Sequence, residues 1–201
     1  MKRKDLADYQ HFHSAAIYGT GGKHFPYVLP HILSIKADSL IDYGAGRSEI
    51  AVWIAKKAGM KRVARFDPAV PGIDKIPEEK FDIVTSFDVL EHIPEEELDD
   101  VLREMSSVGK HALFVIDIAP AKAILSDGRN AHVCLHEEAW WQQRLIQFFP
   151  DIRPLLLGVC FLREAPERAI GSDRRAGKWG LTYESEGIIF KTRAGDYLMH
   201  E

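Results

Sequence analysis

Ser39-Leu-Ile-Asp-Tyr-Gly-Ala-Gly-Arg-Ser-Glu-Ile50 decides the fold: an apolar run enters an acid-x-Gly-x-Gly turn and leaves on a helical pattern. The run predicts a strand over 39–42. Ile50, Val52, Trp53 and Ile54 predict a following helix with a mostly buried surface, ended by Gly59. Gly44 and Gly46 supply the backbone freedom for a tight strand-to-helix turn that a ligand can approach closely. Asp42 sets a carboxylate at the strand's carboxyl end, where it suits a ligand ammonium and points away from pyrophosphate. A dinucleotide loop would prefer a third glycine at position 49 so that helix and strand can close up; Glu49 stands there instead.

Two later segments extend the pattern. Val63-Ala-Arg-Phe-Asp67 reads as a second strand ending in an acid, 21 positions after Gly46, and Phe81-Asp-Ile-Val-Thr-Ser-Phe-Asp-Val-Leu-Glu-His-Ile93 reads as a further strand and its turn. In this order and spacing the three segments resemble the class I S-adenosylmethionine-dependent methyltransferases, over roughly residues 38–150. The resemblance implies an α/β fold, a Rossmann-like three-layer sandwich whose mostly parallel, seven-stranded-type sheet ends in an antiparallel C-terminal hairpin. It also implies S-adenosylmethionine as cofactor. Asp42 would then orient the methionine amino group, Gly44 and Gly46 would let the cofactor lie close, Asp67 would accept the ribose hydroxyl protons, and Phe87 and Asp88 would line the pocket. The expected organisation is an N-terminal cap segment over 1–36 and the methyltransferase domain over 37–201.

Composition agrees with one enzyme-sized domain: 201 residues, 46% hydrophobic and 28% charged, are ordinary globular usage. A net charge of −4 gives no global electrostatic case for nucleic acid, although Arg168, Arg174, Arg175 and Lys178 gather in one glycine-bearing loop. Two cysteines, Cys134 and Cys160, without a CxxC pair indicate neither a disulfide framework nor a thiolate zinc site, and favour a reduced cytoplasmic setting. No run approaches the roughly 18 apolar residues of a membrane helix, so no membrane partner is expected.

Between Asp67 and Asp82 the chain departs from the family pattern. This stretch holds Pro68, Pro71, Gly72 and Pro77 and is too short for a full helix plus strand. The third strand is expected to shrink to about Gly72 to Ile76, abridging one sheet edge, with Asp74 as a weak adenine-side acid. Further on, strands are expected at 81–86 and 111–116, a helix opening at Pro94, a short helix at 119–125, a loop at 127–132 and a helix over 137–149. The last two strands are placed at 155–162 and 181–192.

Asp88-Val-Leu-Glu91-His92 is the second informative site, since residues at i, i+3 and i+4 converge on one side of a helical turn. Two readings stand. In many methyltransferases without a metal, a similar Leu-Glu-His only shapes the cofactor pocket. Acid-x-x-Glu-His also resembles the metal site of the O-methyltransferases of ubiquinone biosynthesis and of small-RNA 3′ ends. That resemblance implies Asp88, Glu91, His92 and His132, with His136 in reserve, as ligands for Mg²⁺ or Mn²⁺. Without a metal, His92 is the candidate general base, beside Glu91 and Asp88 as catalytic acids of the turn. Asp127-Gly-Arg129-Asn130-Ala-His132 reads as an acceptor-facing loop, with Arg129, Asn130 and His132 as substrate contacts, and one of Trp140 and Trp141 as a possible pocket wall.

The expected function is methylation of a hydroxyl on a sugar, glycan or small metabolite. A nucleic-acid methyltransferase is the substrate-level alternative, and a non-catalytic methyltransferase-like scaffold is the alternative of another class. A nicotinamide oxidoreductase would need the missing third glycine.

Overall fold

The computed structural model describes residues 5–15, 21–150, 153–154, 161–162 and 189–191. Helix α1 (Leu6–Ser14) and a 3₁₀ turn (Gly21–His24) lead into α2 (Phe25–Ile35), followed by β1 (Ser39–Tyr43), α3 (Ile50–Ala58) and β2 (Arg62–Phe66). Next come β3 (Phe81–Phe87), a 3₁₀ turn (Leu90–His92), α4 (Glu95–Val108), β4 (Gly109–Asp117) and α5 (Glu138–Leu145). Short strands β5 (Arg153–Pro154), β6 (Phe161–Leu162) and β7 (Ile189–Lys191) complete the described elements.

The main sheet runs β2-β1-β3-β4-β7 with every pairing parallel. From β1 the chain steps outward through α3 to β2, and from β3 it steps the opposite way through α4 to β4. Right-handed crossovers running in opposite directions put α3 and α4 on opposite faces, which makes three layers. The reversal falls between β1 and β3, so the crevice beyond their carboxyl ends is where such a sheet binds ligands. Burial follows: β1 is buried along its whole length, as a central parallel strand should be. Leu98, Val101, Leu102 and Met105 give α4 a buried stripe at helical spacing, each side chain contributing roughly 1.5–3 kcal/mol.

Four expectations need correction. No strand forms at 72–76; the Asp67 amide donates to the Ile73 carbonyl at 2.8 Å, closing a turn-rich connection, and β2 is the sheet edge among the described residues. Asp74 is exposed and accepts from the Gly72 amide at 3.2 Å. The 119–125 stretch is not helical: Pro120 interrupts it, and Ile124 bridges Asn130 antiparallel. Val52 and Trp53 lie on the outer side of α3, 42% and 45% exposed, while Ile50, Ala51, Ile54 and Ala55 face the core. At 100° per residue Val52, Trp53 and Ile54 fan over about 200° of the helix and cannot all share one face.

The expected terminal hairpin falls largely outside the described residues, as do Arg168, Arg174, Arg175 and Lys178. Of it, Phe161–Leu162 pairs antiparallel with Arg153–Pro154, and Ile189–Lys191 lies parallel to β4. Within the N-terminal segment, Val28 and Ile32 of α2 are fully buried in the main core, whereas Phe12 of α1 joins a smaller cluster with Leu125 and Ala131. Trp141 is fully buried, and Trp140 stacks on His136 with ring centroids 3.6 Å apart.

Candidate functional site at the carboxyl edge of the sheet

Parallel strands bring their carboxyl ends to one edge, and the sequence has placed its acids and glycines there. Asp42, near the end of β1, is 2% exposed and accepts a hydrogen bond from Thr85 Oγ1 at 2.8 Å. Burial pushes its carboxyl up to about 7, against the pull of Thr85 and Arg65. Gly44 and Gly46 both take left-handed backbone, φ +79° and +52°, which favours glycine. The Gly44 and Ala45 amides donate to the Phe66 carbonyl at 2.8 and 3.0 Å, tying the turn to the end of β2. A methyl group added at Gly44 would come within 2.5 Å of Val89, so this turn and the one after β3 meet without room for a side chain.

Asp67, 5% exposed, grips the same turn. Its Oδ2 accepts from the Gly46 amide and its Oδ1 from the Ala69 amide, each at 2.8 Å, while Arg65 donates to the Gly46 carbonyl at 3.1 Å. The Gly46 peptide is thereby held at both ends by β2. Against it rests His13 of α1, whose Nε2 is 3.7 Å from Asp67 Oδ2. Burial lowers the His13 imidazole below its ordinary value; Asp67 opposes this and Arg47 adds to it.

Beyond β3 the chain turns sharply. Phe87 is buried, and Asp88 adopts φ +55°, a left-handed conformation for a residue with a side chain, worth about 1–3 kcal/mol of strain. The Asp88 amide donates to the Val115 carbonyl at 2.8 Å, and its Oδ2 lies 2.9 Å from Nε2 of His24, which is 2% exposed. The His24 ring is also 6.1 Å from that of Phe87.

Glu91, His92 and His132 come together: one ligand atom from each lies within 4.8 Å of the others. Asp88 is outside this group, its carboxylate engaged by His24, so the expected four-ligand set contracts to three among the described residues. Glu91 is fully buried and its Oε1 accepts from the Asp117 amide at 2.8 Å, at the end of β4. His92 Nδ1 is 2.8 Å from the Ala131 carbonyl, and His132 Nδ1 is 2.5 Å from the Ala119 carbonyl. A carbonyl only accepts, so each ring carries its proton on Nδ1, which makes Nε2 its basic nitrogen. The two rings meet edge to face, centroids 4.6 Å apart. The reserve histidine, His136, is turned to Glu95 at 2.9 Å and is not in the cluster.

The loop around these histidines is stapled internally. Arg129 pairs with Asp5 and Asp127, each at 2.6 Å, and the Asn130 side chain exchanges two 2.9 Å hydrogen bonds with the Ala121 backbone. Of the three residues that the sequence assigned to the acceptor, Arg129 and Asn130 therefore shape the loop, and His132 is the member that reaches the cluster. Tyr9, His13 and His24 are contacts that sequence reasoning left without roles. Tyr9 donates to the Ala131 carbonyl at 3.1 Å and packs edge to face on His92, ring centroids 5.4 Å apart. The signal was the aromatic and histidine-rich composition of residues 9–24, but its partners lie as far as 122 positions away.

These residues fit the cofactor that the sequence implies: a buried acid at the β1 turn, two glycines in backbone that only they adopt easily, and a second acid bonded to that turn. One carboxylate and two imidazoles with fixed tautomers also make a donor set for a divalent first-row ion such as Mn²⁺.

No protein-family model matches the sequence, and no curated protein matches it. Among solved structures, the plantazolicin methyltransferase BpumL in complex with SAH is 10% identical, with 78% of this chain and 79% of that chain covered and a TM-score of 0.50. The methyltransferase domain of bacterial CtHen1-C is 14% identical over 70% of this chain and 88% of that one, with a TM-score of 0.49. An O-methyltransferase family protein from Burkholderia thailandensis is 15% identical over 92% and 61%, with a TM-score of 0.44. Joined to the strand order and the reversal between β1 and β3, the likeness to BpumL establishes that this chain has the Rossmann-like fold of the class I S-adenosylmethionine-dependent methyltransferases.

Proposed function

We propose that this protein is an S-adenosylmethionine-dependent O-methyltransferase acting on a hydroxyl of a sugar, glycan or other small metabolite, with Mg²⁺ or Mn²⁺ held at the acceptor side. The observation that carries this reading is the meeting of Glu91, His92 and His132 within 4.8 Å, at the same sheet edge as the Gly44–Gly46 turn. When bound, the cofactor supplies an electrophilic sulfonium methyl and the cation supplies Lewis acidity that lowers the pKa of a hydroxyl it holds.

The chain's own part is binding and alignment. Asp42 holds the ammonium of the cofactor, Gly44 and Gly46 admit it to the main chain, Asp67 accepts from its ribose hydroxyls, and Phe87 and Asp88 wall the pocket. Glu91, His92 and His132 would hold the cation on the side where the acceptor hydroxyls enter. Fixing donor and acceptor in line is worth roughly 7–11 kcal/mol of the barrier. With no cation bound, His92 Nε2 is the group positioned to take the hydroxyl proton. Arg129 and Asn130 contribute by shaping the loop that presents His132. The two cysteines without a CxxC pair are in keeping with a reduced cytoplasmic setting. No helix among the described residues is long and apolar enough to cross a membrane.

The test is calorimetric titration with S-adenosylhomocysteine, in Mn²⁺ and in chelator, with NADH as control, followed by methyl transfer from labelled cofactor to paired diols and mono-ols. Saturable binding without an NADH signal, and Mn²⁺-dependent labelling of diols in preference to mono-ols, is the expected result. NADH binding, or no S-adenosylhomocysteine binding in either buffer, overturns the reading; equal labelling in chelator removes the cation from it.

A further inference from the structure

Helix α1 lies over both halves of the site, and its last turn carries His13 into the cofactor half. A methyl group built on Gly46 would come within 2.7 Å of His13 Cε1, so the imidazole rests on the face of the main chain that the absence of a side chain exposes. Its Nε2 is 3.7 Å from Asp67 Oδ2, and its own carbonyl accepts from Arg47 at 3.0 Å. The glycine that the proposed function gives to the cofactor's approach and the carboxylate it gives to the ribose are therefore both beside a side chain of this protein. An imidazole against Gly46 and a ribose bonded to Asp67 require the same space.

We propose that His13 is an internal competitor for the cofactor: the seated α1 and the bound ribose exclude one another, and the helix must shift for the cofactor to enter. The inference rests on the cofactor reading given above. The way α1 is held suits such a movement. The helix has nine residues, too few to be stable alone in water. Phe12 is its buried side chain, set in the small cluster with Leu125 and Ala131 and apart from the main core. The other ties are polar: Asp5 with Arg129 at 2.6 Å, Asp8 accepting from Ser126 Oγ at 3.0 Å, Tyr9 at the Ala131 and His92 carbonyls, and Arg47 donating to the His13 carbonyl. A segment with few buried apolar contacts is the kind that opens locally at small free-energy cost. Opening would also withdraw Tyr9 from His92, so admission of the cofactor and uncovering of the acceptor side would occur as one movement.

The experiment is titration of the full chain and its His13→Ala and Asp5→Asn variants with S-adenosylhomocysteine, joined to amide hydrogen exchange of residues 6–14 with and without saturating ligand. If the seated state holds roughly nine-tenths of the molecules, His13→Ala should bind about tenfold more tightly. Asp5→Asn, which keeps the imidazole and releases only the Arg129 pair, should tighten binding by a smaller factor. Amides of α1 should exchange faster with ligand bound. Weaker or unchanged binding by His13→Ala, or slower exchange in α1, overturns the proposal and makes His13 a partner of the cofactor or a bystander. Failure of the cofactor reading looks different: neither the wild type nor either variant binds, and this proposal falls with it.

Discussion

The proposed cofactor half and the proposed acceptor half of this site share one sheet edge but are assembled in opposite ways. Asp42, Gly44, Gly46 and Asp67 sit at the ends of two adjacent strands, and their hydrogen bonds run among neighbours fixed by the β1–β2 register. Glu91, His92 and His132 depend on a turn after β3 meeting a loop after β4, with α1 laid across both. The first half is rigid because the sheet makes it so. The second is only as ordered as the staples on its loop, and those staples tie it to α1.

If the halves are as distinct as this, damage to one should spare the other. The largest effect is expected from Asp67→Ala, which removes the proposed ribose acceptor and frees the Gly46 and Ala69 amides. S-adenosylhomocysteine affinity measured by calorimetry should fall about a hundredfold or more, equivalent to roughly 3 kcal/mol, while Mn²⁺ binding persists. Loss of both together would show that the two halves are one unit. His132→Ala is the converse: Mn²⁺ affinity followed by paramagnetic resonance should drop about a hundredfold with cofactor affinity unchanged, since removing even an outer partner of a metal ligand costs about 10- to 100-fold.

Acidity should separate the halves less sharply. Asp42 is pushed up to about 7 by burial, so the folded chain keeps a proton there that an unfolded chain gives up near ~3.9. Protonation of this group favours the folded state; that contribution is complete below the unfolded value and is lost as pH rises through about 7. Holding a cofactor ammonium needs the opposite, ionised form. Affinity for S-adenosylhomocysteine should therefore rise about tenfold per pH unit below that value and level off above it, and Asp42→Asn should flatten the profile. A wild-type profile without that rise would remove Asp42 from the ammonium role.

The smallest effect belongs to the seam between the halves. Tyr9→Phe deletes the hydroxyl that reaches the Ala131 carbonyl and should cost about 1 kcal/mol, seen as a melting temperature lower by about 3 °C. Cofactor affinity should not fall with it. A marked loss would mean that Tyr9 acts on the cofactor half directly.

What the sequence disclosed follows the same division. Strands β1, β2 and β3 were legible because their signals are local: an apolar run, a turn, an acid. The triad was legible in part, since Glu91 and His92 adjoin and His132 follows the next strand. That Asp88 would leave the ligand set was not legible, because it depends on one left-handed backbone angle and on His24, 64 positions earlier. Arg129 and Asn130 look like ligand contacts on paper for the reason that they hold loops well: short or forked polar side chains serve their own backbone as readily as a guest. Trp53 misled through its size, since a large apolar side chain on the outer face of a helix settles on whatever glycine surface is near, here Gly22.

The short connection after β2 has a consequence for how this protein meets others of its kind. Among the described residues no strand pairs with the outer edge of β2, which leaves a row of backbone donors and acceptors at that rim, the feature by which sheets join into aggregates. β2 carries Arg62 and Arg65 within five residues, and Arg62 folds back to the Lys80 carbonyl, the Glu79 carboxylate and the face of Phe81. A neighbouring chain that tried to add a strand there would have to strip a guanidinium from three partners. Among the described residues, the open rim of the sheet at β2 is thus fenced by charge.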